Sequence, residues 1–316
     1  MGILKKKQGV KDMKQVDMLI IGGGPGGYTA ALYGARAGLK TLVLEKLSAG
    51  GQMALTAQID NYPGFPDGVD GFELAYSMQQ QAERYGAETE LAEVTGLQLQ
   101  ADPKVVETTE GVYLAKTVVI ATGANPRMLG VPLEQELTGR GVHYCAHCDG
   151  MFYRGKTVAV VGGGNSAVAD ALHLSRLAKK VYLIHRRDRL RSEKIHEHAL
   201  QEAQNLEFRW NSQVEALLQE GRLTGLRIAD VNTGETEELT VDGLFVSIGR
   251  QPASALVEGQ LVLDDAGYIL ADETTRTSLP GVFAVGDVRR KALRQIVTAV
   301  ADGAVAAHFA DEYLRG

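Results

Sequence analysis

Two stretches of this chain repeat one another at a fixed offset of 140 residues, and that repeat limits the fold more than any other feature. DMLIIGGGPGGYTAALYGARAGLKTLVLEK runs from Asp17 to Lys46, and TVAVVGGGNSAVADALHLSRLAKKVYLIHR runs from Thr157 to Arg186. Each reads as a short apolar run, a glycine-rich turn, a helical stretch and a second apolar run. Strand, turn, helix, strand is the unit from which parallel sheets are built. The length of 316 residues agrees, since about 150 residues per domain predicts two domains.

Each turn carries a dinucleotide fingerprint. Gly22, Gly24 and Gly27, with Pro25 between them, give GxGxxG, and Gly162, Gly164 and Ala167 give GxGxxA. The first glycine makes the tight turn and the second lets the backbone approach a pyrophosphate. The third position must be small so that helix and strand pack closely. The helix that follows offers free N–H groups and a positive dipole end. The second strands then differ. The first ends at Glu45, about 20 residues beyond the glycines, where an acid holds ribose hydroxyls. The equivalent position in the second repeat is His185, followed by Arg186, Arg187 and Arg191. A carboxylate repels a 2′-phosphate, whereas clustered arginines bind one. The first site is expected to take an adenosine diphosphate with a free ribose, and the second NADPH in preference to NADH. The predicted fold is α/β, with two Rossmann-like, three-layer dinucleotide-binding domains.

Later segments return to the first domain. Thr117–Ile120, Leu244–Ile248 and Val282–Val285 read as strands, the last leading into Gly286 and Asp287. A strand that ends in Gly-Asp can present its carboxylate to a polyol. A helical stretch begins at Arg294, Gln295 and Ile296 and continues through Ala307. The expected layout is a leader over residues 1–15, a first domain over 16–128 and 257–316, and a second domain over 129–256 inserted into it.

Composition removes several function classes. Apolar residues make up 45% and charged residues 23%, which excludes disorder and collagen-like structure. A net charge of −6 argues against nucleic acid as a partner. Met18 to Ala35 carries no charge, but glycine and proline interrupt it, so a membrane span is not expected. Lys5, Lys6, Lys7, Lys11 and Lys14 precede that turn without the apolar core of a secretory signal. Met13 is a possible alternative start, and the expected location is the cytoplasm.

The two cysteines, Cys145 and Cys148, lie in one run, CAHCDG. Two cysteines cannot staple a secreted scaffold, and their closeness points to chemistry. A CxxC loop closes as a disulfide and reopens as a dithiol. Asp149 follows at once, and its short carboxylate can move a proton to or from a departing thiolate. His143, Cys145, His147 and Cys148 invite a zinc reading, but four ligands within six residues reach tetrahedral positions with difficulty and no second CxxC exists. No metal is expected.

Taken together, IIGGGPGGYTAALYGARAG, GGQM, IDNYPG, ATGANPR, CAHCDG, VGGGNSAVADALHLS, HRRDRLR, GVFAVGD and LRQIVTAVADGA resemble the low-molecular-weight thioredoxin reductases, class II pyridine nucleotide-disulfide oxidoreductases. The resemblance covers essentially the whole chain after the leader. It implies a homodimeric flavoprotein with FAD on the first fingerprint, NADPH on the second and thioredoxin as the protein substrate. By position it implies that FAD meets Gly22, Gly24, Pro25, Gly27, Glu45, Gly51, Gln52, Asn61, Thr122, Gly123, Gly286, Asp287, Arg294, Gln295 and Ile296. NADPH would meet Gly162, Gly164, Asn165, Ser166, His185, Arg186, Arg187 and Arg191. Cys145 and Cys148 would form the redox disulfide, with Asp149 as acid. Two departures stand out. His147 lies where the family commonly has threonine, which is similar to flavoproteins that reduce peroxiredoxins, so a peroxiredoxin or glutaredoxin-like partner is the alternative. Ala169 lies where an acid is frequent. Because cysteines and NADPH fingerprint share one domain while both serve the flavin, a rotation of that domain about its two connections is expected.

Overall fold

The computed structural model describes residues 14–56, 58–191, 200 and 202–316. Of the expected leader, only Lys14 and Gln15 fall within that range, and both belong to the first strand, β1 (Lys14–Ile21). The candidate start at Met13 lies outside the described residues. The chain divides into two compact units: one runs to Asn125 and resumes at Gln251, and the other spans Pro126–Arg250. The second unit begins three residues before the expected insert of 129–256 and stops six residues before that insert's expected end. Short strands β7 (Ala124–Pro126) and β16 (Arg250–Pro252) carry the two crossings and pair with each other.

The first unit is built on a seven-stranded sheet. Strands β1, β2 (Thr41–Glu45), β3 (Glu88–Leu91), β6 (Val112–Ile120) and β17 (Val282–Ala284) are parallel, in the order β3-β2-β1-β6-β17. Strands β4 (Val94–Gln98) and β5 (Lys104–Thr108) extend the other end of β6 antiparallel. Parallel strands need crossovers, and crossovers cover both faces, so β1 is apolar on both sides. Met18 and Ile20 pack toward Tyr28, Ala31, Phe283 and Ala306, while Leu19 and Ile21 pack toward Leu99, Val106 and Ile269. Each such side chain, fully buried, contributes about 1.5–3 kcal/mol.

Helix α1 (Pro25–Arg36) crosses from β1 to β2 and lies against the last helix, α5 (Ile296–Arg315). That contact is close because a Cβ at Gly303 would meet the Gly26 carbonyl oxygen at 2.3 Å. The last helix extends past the expected Ala307, because Ala306, Ala307 and Ala310 continue its buried face. Between these elements, α2 (Gly71–Arg84) is capped by Asp70, whose carboxylate accepts from the Phe72 and Glu73 N–H groups.

The second unit holds a five-stranded parallel sheet in the order β11-β10-β9-β15-β8. Its strands are β8 (Val142–His143), β9 (Thr157–Val161), β10 (Lys180–Ile184), β11 (Leu206–Arg209) and β15 (Gly243–Val246). Strand β15 stops two residues short of the expected Ile248, although the Ser247 N–H still donates to Val161. One face packs on α3 (Ala146–Asp149) and α4 (Asn165–Ser175) through Ala146, Ala167, Ala171 and Leu174. The other face is covered by a three-stranded antiparallel sheet of β12 (Ser212–Gln219), β13 (Leu223–Asp230) and β14 (Thr236–Thr240), through Val214, Leu226, Ile228 and Leu239. The unit therefore has three layers, with a sheet where a doubly wound fold would carry a second helical layer.

A buried ionic cluster fixes the segment after β17. The Asp302 carboxylate on α5 accepts from the Gly286 N–H (2.9 Å), Arg289 Nη1 (2.9 Å) and Lys291 Nζ (2.7 Å). All three side chains are nearly buried, so the carboxylate and its two cations must be satisfied together. Asp302→Ala leaves two nearly buried cations without their carboxylate and removes the acceptor that holds the Gly286 turn. It is expected to cost about 3–5 kcal/mol, read as a lower midpoint in urea unfolding.

Candidate active site

The first glycine turn lies where β1, β2, β6 and β17 end. Ligands in open parallel sheets bind outside the carboxyl ends of the strands. Gly22 has φ +106° and a Cβ there would meet the Ala121 carbonyl oxygen at 2.5 Å, so β1 can turn beside the end of β6 only as glycine. At Gly27 a Cβ would meet the Gly22 carbonyl oxygen at 2.0 Å, which explains the small third position. Around Gly24 nothing lies within 4 Å of a Cβ, and α1 begins there with no side-chain cap and no acid in its first turn. The contrast with α2, where Asp70 fills that role, leaves the first N–H groups of α1 for an outside acceptor.

Other predicted residues gather at the same edge. Glu45 Oε2 accepts from the Gly23 N–H at 2.6 Å, placing its carboxylate beside the turn. The Gly50 N–H donates to the Gly23 carbonyl (2.7 Å), which brings in Gly51 and Gln52. Gln52 Nε2 donates to Asn125, and Thr122 Oγ1 to the Ala253 carbonyl, next to Gly123. Asn61 Nδ2 donates to Gln295 Oε1 at 3.1 Å, and Gln295 caps α5 in front of Ile296. Asp287 lies in the 3-10 turn Gly286–Val288. The Arg294 guanidinium stacks 4.1 Å from the Tyr268 ring centre, and its buried Nε has no partner.

The second turn repeats the arrangement in the other unit. A Cβ at Gly162 would meet the Ser247 carbonyl oxygen at 2.3 Å, and α4 starts at Gly164 without a side-chain cap or an early acid. Asn165 and Ser166 open that helix and are exposed. His185 lies beneath Gly163, where a Cβ would strike its ring at 2.1 Å. Its Nε2 is buried with no partner. Burial, and after it the charges of Arg191, Arg187 and Arg186, hold this imidazole below its ordinary value and so neutral. Those three arginines are exposed, and the Arg191 N–H donates to the Gly163 carbonyl (2.7 Å), folding the cluster back onto the turn.

The cysteines follow the carboxyl end of β8, at the same edge as the second turn. They form a disulfide with Cα atoms 5.3 Å apart. Cys145 is the N-cap of α3, and its Sγ accepts from the Cys148 N–H at 3.2 Å. Helix α3 packs on α4, where the His147 ring stacks on His173 with centroids 4.3 Å apart. His147 Nδ1 is 3.8 Å from the carboxylate of Asp170, which in turn accepts from Ser247. Asp149 is held by His143, whose Nδ1 lies 2.9 Å from Asp149 Oδ2. Ala169 is exposed on α4.

Comparison with known proteins agrees with this geometry. The family model described as pyridine nucleotide-disulphide oxidoreductase matches residues 16–303. A thioredoxin reductase of Streptomyces clavuligerus is 46% identical over 301 residues, 94% of each chain. A thioredoxin reductase of Bacillus subtilis (strain 168) is 42% identical over 306 residues, 96% of each chain. This chain belongs to the low-molecular-weight thioredoxin reductases. Among solved structures, the thioredoxin reductase from Streptococcus pyogenes superposes with a TM-score of 0.90 at 44% identity, covering 95% of this chain and 98% of that one. Among the described residues no helix is long and apolar enough to cross a membrane.

Within this member of the family, several groups around the disulfide escape sequence reasoning. Asp170 and His173 on α4, Ser247 after β15 and Tyr153 after α3 come from three separate segments and meet only once the sheet is assembled. Their pKa values carry a prediction. Burial, and then the neighbouring His147, hold His173 below the ordinary 6.5, so the unfolded chain takes up that proton first as pH falls. The stability His173 contributes is complete above pH 6.5 and is lost as pH falls through its folded value. Burial raises Asp170 above the usual 3.8, which acts in the opposite sense nearer that value. His173→Gln is expected to flatten the acid limb of a stability-versus-pH curve just below pH 6.5, measured by urea unfolding.

Proposed function

We propose that this chain is an NADPH-dependent flavoprotein that reduces the disulfide of thioredoxin, with Cys145 and Cys148 alternating between disulfide and dithiol. The observation that carries the reading is a CxxC disulfide at the carboxyl edge of a parallel sheet, packed on the helix of a dinucleotide turn. Full-length similarity to thioredoxin reductases supports it. A homodimer and a cytoplasmic location follow from the same resemblance.

Both turns fit their cofactors: uncapped helix N-termini, open space at Gly24 and Gly164, and an unpartnered His185 Nε2 beside the arginine cluster. In this reading Gly22, Gly24, Pro25 and Gly27 cradle the FAD diphosphate and Glu45 takes ribose hydroxyls. Gly51, Gln52, Asn61, Thr122, Gly123, Arg294, Gln295 and Ile296 line the rest of FAD, and Gly286 presents Asp287 to its polyol. Gly162, Gly164, Asn165 and Ser166 hold the NADPH diphosphate, while His185, Arg186, Arg187 and Arg191 surround the 2′-phosphate. FAD, when bound, supplies two-electron transfer between NADPH and the disulfide.

The chain's own residues perform the thiol chemistry. After reduction, the Cys148 N–H at the start of α3 favours negative charge on Cys145 Sγ, making it the better nucleophile. That thiolate attacks one sulfur of the thioredoxin disulfide, forms a mixed disulfide and expels one thioredoxin thiolate. Cys148 then attacks Cys145 Sγ, restores the internal disulfide and expels the second. The two protons given up by the cysteines end on the two thioredoxin sulfurs, and Asp149 relays a proton between them.

The deciding assay follows NADPH oxidation by the yellow purified protein, with and without thioredoxin. Thioredoxin-dependent oxidation is the expected result; oxidation only with a peroxiredoxin or glutaredoxin-like partner would select the alternative. Cys148→Ser is expected to abolish thioredoxin reduction while NADPH still bleaches the flavin absorbance. Neutralising Arg186 and Arg187 together is expected to raise KM for NADPH about tenfold or more with little change for NADH, and equal effects on both would remove the 2′-phosphate assignment.

A further inference from the structure

His143 lies two residues before Cys145 and has a more defined setting than a residue beside a loop requires. It closes β8, whose register sets it alongside Phe245 of β15. The two rings stack with centroids 5.3 Å apart, and Tyr153 meets both edge-on at 5.2 and 5.4 Å. His143 is 8% exposed and Tyr153 3%. Space for the tyrosine is provided at Gly243, where a Cβ would meet its ring at 2.4 Å. Both imidazole nitrogens are engaged: Nδ1 faces Asp149 Oδ2 at 2.9 Å, and Nε2 faces the Tyr153 hydroxyl at 2.7 Å.

The donors in this row can be assigned. Burial pushes the Tyr153 hydroxyl up to about 12, so it keeps its proton and can donate. A carboxylate can only accept, so Nδ1 must carry a hydrogen toward Asp149. A neutral imidazole has one N–H, so Nε2 accepts from Tyr153 O–H. The hydroxyl thus fixes the tautomer, and the tautomer directs an N–H at one oxygen of Asp149. Asp149 ends the four-residue helix that carries Cys148, and its own N–H donates to the Cys145 carbonyl at 3.1 Å.

We propose that His143 is a positioning residue for Asp149, and that Tyr153 sets the tautomer in which it does so. The Nδ1–H bond holds Oδ2 and leaves Oδ1 to exchange the proton with the thiol. The proton count is unchanged by this row: Asp149 takes one proton from a cysteine and returns it to a thioredoxin sulfur, while His143 and Tyr153 keep theirs. The inference rests on the reading of Asp149 as the proton-carrying group.

The test measures thioredoxin-dependent kcat and KM, and separately the rate of flavin reduction by NADPH, in holoenzyme variants. His143→Ala is expected to lower kcat about tenfold or more, with KM for thioredoxin and flavin reduction unchanged. His143→Asn, whose side-chain N–H can stand near the place of Nδ1–H, is expected to restore most of that loss. Tyr153→Phe, which removes only a hydroxyl, is expected to lower kcat several-fold, and it carries the test if the alanine variant does not fold. Residues that act through one group are not additive. In an Asp149→Asn background, Tyr153→Phe and His143→Ala should therefore cost nothing further. Parental turnover in Tyr153→Phe, or a full additional loss in the Asp149→Asn background, overturns the inference while leaving Asp149 in place. Parental turnover in Asp149→Asn alone overturns the reading of Asp149 and this inference with it.

Discussion

Parallel strands must all end at the same edge, and in both units that edge is where the chemistry collects. A parallel sheet cannot be closed by tight hairpins, so each strand is followed by a turn into a crossover. In the first unit those positions are Gly22 after β1, Glu45 at the end of β2, Thr122 after β6 and Gly286 after β17. In the second they are Tyr144 and Cys145 after β8, Gly162 after β9, His185 after β10 and Ser247 after β15. Residues more than two hundred positions apart, such as Asn61 and Gln295, meet there because strand direction, and not sequence proximity, decides which side chains are neighbours.

Bare backbone does much of the remaining work. Where a helix has a side-chain cap, as Asp70 provides for α2, its end is already satisfied. The two helices after the glycine turns have no side-chain cap, which leaves that end of each open to an outside acceptor. The opposite strategy appears under the disulfide, where His143, Tyr153, Asp149 and the backbone of α3 satisfy one another. One region is left open for a guest and the other is closed around itself. Buried polar groups are costly unless matched, so the closed row supplies its own partners while the open edge leaves that matching to a guest.

Much of this was legible in the sequence because repeats and fingerprints impose local geometry. Gly22, Gly27 and Gly162 are readable without coordinates, since backbone oxygens occupy the places where their Cβ atoms would be. CAHCDG points to redox chemistry by its spacing, and the family resemblance implies the disulfide that the structure forms. The supporting row was hidden for a physical reason: Tyr153 reaches His143 from ten residues away, and Phe245 reaches it only through strand pairing a hundred residues later. Asp302 was likewise unreadable, since nothing in a helix of small residues marks one acid as the partner of Arg289 and Lys291. That the third layer of the inserted unit is a sheet was unreadable for the same cause. A strand pattern in β12 to β14 says that a face will be covered, but not which sheet it will cover.

The two units also differ in how much of the chain each must wait for. The inserted unit is continuous, so every strand of its sheet is available once residue 250 has left the ribosome. The outer unit cannot close its sheet until β17 arrives, nor seat α1 until Gly303 reaches Gly26. During synthesis the first glycine turn therefore exists for more than two hundred residues without the helix that braces it. A nascent chain emerging in this order completes its inner unit first and its outer unit last. The half made earliest depends on the portion made latest.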